Sequence, residues 1–372
     1  MCIMKINEKS LRNLQTTYPL EKISTLKNIL FVDIETTGFT ANSSYLYMIG
    51  CAYHQDGMWK IIQWLAEKYN EEEDILTAFL AFAAERHYMI HFNGNNFDLP
   101  FLMMKCDKMG IKHHFDSYDG LDLYRRIAPC KRFLKLPNCK QKTLEQFLGL
   151  ARDDKYSGGE LIGLYHEYVH QPTEAAEKIL FQHNADDIAG MIQILPLLAY
   201  SDILSNSEKF RARKVQANTY RDLKGRLRRE LLITVVLPTA FPKPVAMAAN
   251  GCYFRGEGTE AVIKVPVYDG ELKYFYSNYK DYYYLPEEDL ALHKSVAGFV
   301  DKEHRVQATA ANCYTRKNSA YLPQWDASIE PYFKKDYQSK ELFFELTDEL
   351  KRDRKAFTEY ANQVFQMIAT SC

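Results

Sequence analysis

Apolar residues recur along this chain with two different periods, and the points where the period changes mark its elements. Residues 28–33 form a short apolar run ending on an acid. Residues 45–53 and 58–65 alternate as strands do, joined by the turn His54-Gln55-Asp56-Gly57. The spacing becomes helical over 71–86, with Ile75, Leu76, Phe79, Leu80 and Phe82 on the apolar side. A short strand at 88–92 leads into a Gly/Asn loop. A helix then opens at Asp98, and its first turn tolerates Pro100. Thr143-Leu144-Glu145-Gln146 and Ser157-Gly158-Gly159-Glu160 fit the capping-box pattern. A long helix is expected from about 173 to 195, where Pro196 ends or kinks it. Three strands, a helix, a strand and then helices predict an α/β domain with a mixed sheet.

The pattern divides the chain into an N-terminal arm (1–27), this α/β domain (28–200), a basic helical connector (201–230) and a smaller β-rich domain (231–372). The last closes on an amphipathic helix over roughly 342–368. The connector carries Lys209, Arg211, Arg213, Lys214, Arg221, Lys224, Arg226, Arg228 and Arg229. These read either as a solvated helix face or as a surface that tracks phosphates. Tyr274-Phe275-Tyr276 and Tyr282-Tyr283-Tyr284, with Lys273 and Lys280 interleaved, read as strand and core, with a stacking platform for bases as the alternative.

With 47 Lys+Arg against 48 Asp+Glu, the net charge of −1 confines any nucleic-acid contact to a local basic patch. The first residues have no long apolar core, so no signal peptide is expected, and no run approaches the ~20 apolar residues that span a bilayer. Eight cysteines without a Cys-x-x-Cys pair argue against a zinc site and a disulfide framework. The expectation is a soluble protein of a reducing cytoplasm that does not contact membranes.

Three acidic motifs carry the chemistry: Asp33-Ile34-Glu35-Thr36-Thr37-Gly38, Asn93-Gly94-Asn95-Asn96-Phe97-Asp98 and His183-Asn184-Ala185-Asp186-Asp187. Asp33 and Glu35 lie two apart on a strand and therefore share a face. Asp98 reads as a helix N-cap, as a metal-binding carboxylate, or as both. Asp187 falls on the inward stripe of its helix with Leu180, Met191, Ile194, Leu195 and Leu198, whereas Asp186 leans toward Gln182 and Gln193. An unpaired carboxylate there is costly, and a metal or a buried cationic partner would offset it. His183, one turn earlier on the same face, is either a satisfied core histidine or a group that orients or deprotonates a water. Converging carboxylates repel one another, by ~3 kcal/mol for a pair at ~5 Å and an effective dielectric of ~20. A divalent cation removes that repulsion. The motifs thus point to a metal-dependent phosphodiesterase.

In this order the motifs resemble the DEDD exonucleases of the ribonuclease H-like fold, most nearly the YprB-like group of predicted ribonuclease H-like domains. The resemblance rests on residues 31–38, 93–98 and 183–187 and covers about 25–200. It implies an α/β, ribonuclease H-like mixed sheet flanked by helices. It implies metal binding by Asp33, Glu35, Asp98 and Asp187, two Mg²⁺ or Mn²⁺ ions, and removal of nucleotides from a 3′ end of single-stranded RNA or DNA. Thr36, Asn93 and Phe97 are the candidate substrate contacts. The family places either Tyr four residues before the last acid or His five before it. This chain has His four before, so His183 is a candidate catalytic residue on an unusual spacing. Asp122 is expected to be structural. Two other readings remain: a non-catalytic nucleic-acid-binding module, and a phosphodiesterase of small nucleotides.

Overall fold

The computed structural model describes residues 4–11, 14–152, 156 and 158–371. The capping box at Ser157 lies outside the described residues, as do Cys2 and Cys372. The chain forms two compact units, Met1–Ser205 with Thr239–Lys243, and Asn206–Pro238 with Pro244–Cys372.

In the first unit, β1 (Lys5–Ser10), β2 (Ile29–Thr36), β3 (Leu46–Gln55) and β4 (Met58–Leu65) precede α1 (Glu72–Ala83) and β5 (Tyr88–His91). Next come α2 (Asp98–Met109), β6 (Asp119–Asp122) and α3 (Leu123–Ile127), then α4 (Gln141–Leu148), α5 (Gly158–His170), α6 (Glu174–Ile194) and α7 (Leu198–Leu204). The strands make one mixed sheet in the order β1-β4-β3-β2-β5-β6. β1, β4, β3 and β2 pair antiparallel, and β2, β5 and β6 pair parallel. The β3–β4 hairpin turns at Asp56 and Gly57, both at positive φ, where the sequence places Asp-Gly.

Strand alternation sorts β2 between two cores. Leu30, Val32 and Ile34 pack with Ile75, Leu76 and Phe79 of α1 and Phe101 and Leu102 of α2. On the other face Tyr47, Met48 and Leu65 pack with Leu161 and Tyr165 of α5 and Leu180 and Phe181 of α6. Asp33 and Glu35 point to this second face. The stretch Glu174–Leu204 is long and apolar enough to cross a membrane, contrary to the reading that no run approaches that length, but 78% of its apolar window is buried inside the unit. It comprises α6, the core helix of the second face, and α7.

Four expectations need correction. Part of the N-terminal arm is strand β1: its residues alternate half-buried and exposed, a polar edge pattern that does not show as an apolar run. The helix at Thr143 starts earlier, at Gln141. Thr143 sits inside it, and its hydroxyl donates to Asn138 Oδ1 (2.7 Å). The segment 201–230 is not a helical connector. α7 ends at Leu204, and β7 (Arg211–Arg221) pairs antiparallel with β8 (Leu227–Ala249). Arg and Lys suit helices by propensity, but the Asp222–Gly225 turn and the alternating Leu231, Ile233 and Val235 favour a hairpin. The final helix is shorter at its start: residues 342–345 are a strand, and the helix begins at Arg354.

The second unit is mostly β, as expected. It continues with β9 (Cys252–Pro266), β10 (Tyr268–Phe275), β11 (Tyr282–Leu285) and β12 (Leu290–His293). These are followed by α8 (Lys294–Ala297), β13 (Val306–Gln307), β14 (Tyr314–Gln324), β15 (Tyr332–Phe333), β16 (Leu342–Glu345) and α9 (Arg354–Ser371). Its sheets run β7-β8-β9, β10-β14-β16-β15 and β12-β11-β13. α9 is pinned to the start of β7, where Phe210, Phe254 and Phe365 meet and Thr358 Oγ1 accepts from Ala212 N (3.0 Å). The tyrosine clusters lie on β10, with Tyr276 just past its end, and on β11; Tyr276 stacks on Tyr282 at 4.5 Å, so the strand expectation holds, while the rings are half-buried at the edge of the core.

Candidate active site

Asp33 and Glu35 rise from β2 toward α6, whose residues His183 and Asp187 come down one turn apart on the same face. One ligand atom each from Glu35, His183 and Asp187 lie within 4.8 Å of one another. His183 Nε2 stands 3.3 Å from Asp187 Oδ2 and 3.7 Å from Glu35 Oε1. The four-residue spacing of His183 therefore brings its imidazole to the acids.

Asp98 enters from the other side of the sheet as the first residue of α2. Phe97 is the N-cap, and the Asp98 carboxylate accepts the Ile34 backbone N–H (3.3 Å) as well as its own backbone N–H. Burial, together with the charges of Asp122 and Asp187, raises its pKa to about 7. Burial likewise pushes Asp33 well above the carboxylate range, reinforced by Asp187, Glu35 and Asp98, while a hydrogen bond from Asn184 opposes the shift. Among the described residues no basic side chain pairs with Asp33 or Asp98. The structure thus gathers the four acids, with Asp98 buried and Asp33 half-buried, and neither has a basic partner among the described residues.

Several residues to which the sequence gave no role hold this geometry. Asn184 donates from Nδ2 to Asp33 Oδ2 (2.8 Å), and its Oδ1 accepts from Gln63 Nε2 (2.9 Å). Asn184 and Gln63 are both fully buried. The approach requires Gly50, which faces Asp33 across the β2–β3 ladder: a Cβ there would meet Asn184 Oδ1 at 1.9 Å. A glycine and a glutamine inside apolar strands are the only sequence trace of this arrangement. Tyr47 hydrogen-bonds Glu35 and stacks on Tyr165 at 4.2 Å, and burial lifts its hydroxyl well above the usual tyrosine range.

The buried cationic partner of Asp187 is Arg152. Its Nη1 takes Asp187 Oδ1, while Nε and Nη2 grip Glu145 of α4. Asp187 Oδ2 is thereby left facing His183 and Glu35. Glu145 itself is 2% exposed, and α4 approaches α6 at Gly190, where a Cβ would meet Glu145 Oε1 at 2.1 Å. Removing the guanidinium strands a buried carboxylate, so Arg152→Gln should destabilise the protein by about 3 kcal/mol in urea unfolding. Glu145→Gln on the same background should recover most of it. A loss under about 0.5 kcal/mol, the size of a surface change, would show that the bridge does not form.

Asp122 is structural, as expected. It caps α3 through Arg125 N and holds Asn93 N (2.9 Å) and Asn95 N (3.3 Å), fixing Asn93 at φ 63°. Of the candidate substrate contacts, Asn93 Oδ1 accepts from Asn96 (2.8 Å) and Thr36 Oγ1 donates to the Gly38 carbonyl (2.8 Å), so both brace their loops. Phe97 lies edge-on to Phe39 at 6.2 Å, and Phe39 is 91% exposed.

The mixed sheet flanked by helices is a ribonuclease H-like fold, and it brings the acids of β2, α2 and α6 close together. Residues 30–199 match the RNase_H_2 family model, described as RNase_H superfamily. No curated protein matches the sequence. Similar solved structures include the family B DNA polymerase of the hyperthermophilic archaeon Pyrobaculum calidifontis. It is 12% identical, with 69% of this chain and 36% of that chain covered and a TM-score of 0.36. The chain thus spans little more than a third of the polymerase. A nuclease in its apo form is 14% identical, with 51% and 80% covered and a TM-score of 0.32. The E. coli ExoI–ssDNA complex in a zinc-bound form is 11% identical, with 56% and 54% covered and a TM-score of 0.28.

Proposed function

We propose that this chain is a metal-dependent 3′–5′ exonuclease of the DEDD type, similar to the YprB-like group. One observation carries the reading. Asp98 is buried and Asp33 half-buried, neither with a cationic partner among the described residues, beside Glu35 and Asp187. Buried carboxylates crowded in this way need a cation, and an all-oxygen donor set suits Mg²⁺ or Mn²⁺. Asp33, Glu35, Asp98 and Asp187 would hold two such ions, whose chemistry is to activate water and stabilise the leaving oxygen. His183, with Nε2 beside Glu35 and Asp187, would orient the water or take its proton. The exposed Phe39, with Phe97 against it, offers a surface on which a terminal base stacks. Thr36 and Asn93 shape the loops that receive the strand. Six free, buried cysteines support a reducing, cytoplasmic setting.

The test is 5′-labelled single-stranded RNA and DNA incubated with the protein in Mn²⁺ or EDTA. A ladder shortening from the 3′ end, abolished by EDTA, is the expected result. Tight binding with no cleavage would leave a binding module instead, and turnover of dinucleotides alone would make it a small-nucleotide phosphodiesterase.

A further inference from the structure

The basic stretch that the active site does not use forms the β7–β8 hairpin of the second unit. Residues 209–229 hold nine basic side chains and one acid, a net of +8 in a chain whose total is −1. All nine are exposed. The end of the hairpin leaves the sheet with neither face covered: every residue from 219 to 229 except Asp222 is exposed, Leu223 at the tip fully so. Such a strand pair has no core of its own. Its tip is nevertheless well built. Asp222 N donates to Arg226 O and Gly225 N to Asp222 O, with Gly225 at φ 75°, the three-residue loop of a bulged hairpin. Asp222 Oδ1 accepts from Lys224 N and Arg226 N, both at 2.9 Å.

Pairing assigns the faces. Tyr220 lies opposite Arg228 on one face, and Arg221 opposite Leu227 and Thr219 opposite Arg229 on the other. Each face of the prong therefore carries guanidinium groups, and one adds a half-exposed tyrosine ring. Intramolecular acids neutralise only part of the charge: Asp222 pairs with Arg226 and Arg228, Asp269 with Arg229, and Glu260 with Arg213. Arg211, Lys214 and Lys224 have no ion pair among the described residues.

We propose that this hairpin grips single-stranded nucleic acid, with Arg221, Arg226, Arg228 and Arg229 on the phosphates and Tyr220 stacked on a base. The proposal rests on the nuclease reading above for its choice of polyanion. A dense, exposed set of arginines that a few acids neutralise only in part still attracts a flexible polyphosphate, and an aromatic ring among them serves bases rather than phosphates alone.

The test uses the full chain in EDTA, so that nothing is cleaved, and fluorescence anisotropy of a labelled single-stranded oligonucleotide across a KCl series. Joint replacement of the four arginines by Gln should weaken binding by about 100-fold near 0.1 M salt. It should also lower the log–log salt slope by about 3, at ~0.7 per phosphate contact. The matching Arg→Lys set should keep the slope. Tyr220→Ala should weaken binding by roughly 10-fold with the slope unchanged. Unchanged affinity and slope in the Gln set would overturn the proposal, as would a loss confined to binding of phosphatidylglycerol vesicles. The two readings fail separately. Wild-type cleavage with unaltered binding by the Gln set removes only the prong, whereas salt-sensitive binding through the hairpin without Mn²⁺-dependent cleavage removes only the nuclease.

Discussion

Asp33→Asn is expected to abolish hydrolysis while making the metal-free protein more stable. Loss of solvent around the half-buried Asp33 and the charges of Asp187, Glu35 and Asp98 push its pKa up, with a hydrogen bond from the Asn184 amide opposing them. An asparagine keeps the shape and can still accept from Asn184 Nδ2, but it removes a charge that the metal-free site can barely hold. Activity on labelled oligonucleotides should fall roughly 10³-fold or more, the scale lost when a main electrostatic stabiliser of a transition state is removed. Urea unfolding in EDTA at neutral pH should shift to higher denaturant. At Asp33, which has no basic partner among the described residues, the opposite signs mark a site acid, because an acid that serves structure alone loses stability on substitution. Asp187→Asn should lose both, since Arg152 then faces a weakened partner. His183→Ala should lose less activity, on the order of 10²-fold, as fits a proton acceptor. Unaltered turnover in Asp33→Asn would end the four-acid reading.

The second large effect couples pH, metal and stability. Asp98 is raised from 3.8 to about 7 in the folded chain. A carboxyl with a raised folded pKa holds its proton more tightly when folded than when unfolded. Its contribution is therefore fully present below about pH 4 and is lost as pH climbs to about 7. The shift corresponds to about 4 kcal/mol at most. In EDTA the melting temperature should accordingly decline across that window. Mn²⁺ binds the ionised acids and should reverse the trend, raising the melting temperature by about 10 °C near neutral pH and little near pH 5, where protons compete. Calorimetry across pH, with and without Mn²⁺, reads both arms. Equal Mn²⁺ effects at both ends would mean that these carboxylates do not bind the ion.

Much of the first unit was legible because each of its elements has a local cause. Alternation marks β4, the Asp-Gly pair marks its hairpin, and apolar spacing marks α1 and α6. Of the elements that escaped, β1 and β6 are polar or short and pair with distant strands, whereas the β7–β8 hairpin pairs locally and was hidden by basic residues whose propensity suits a helix. Strand pairing satisfies backbone groups whatever the side chains, so it leaves little trace in composition. The capping box at Thr143 failed for a related reason: a local signal that several positions can satisfy was decided by Asn138 and by the packing of α4 on α6.

By itself the sequence determined which acids could share a site, since two-residue spacing on a strand and four-residue spacing on a helix fix the face each side chain takes. It also carried the excess of positive charge in residues 209–229. Only the tertiary structure decided that Arg152 holds one oxygen of Asp187, that Gly50 lets Asn184 reach Asp33, and that the basic residues stand on a hairpin. The reason is physical. Facing is set by the local period of the backbone, whereas partnership depends on which distant segments close packing brings within a few ångströms.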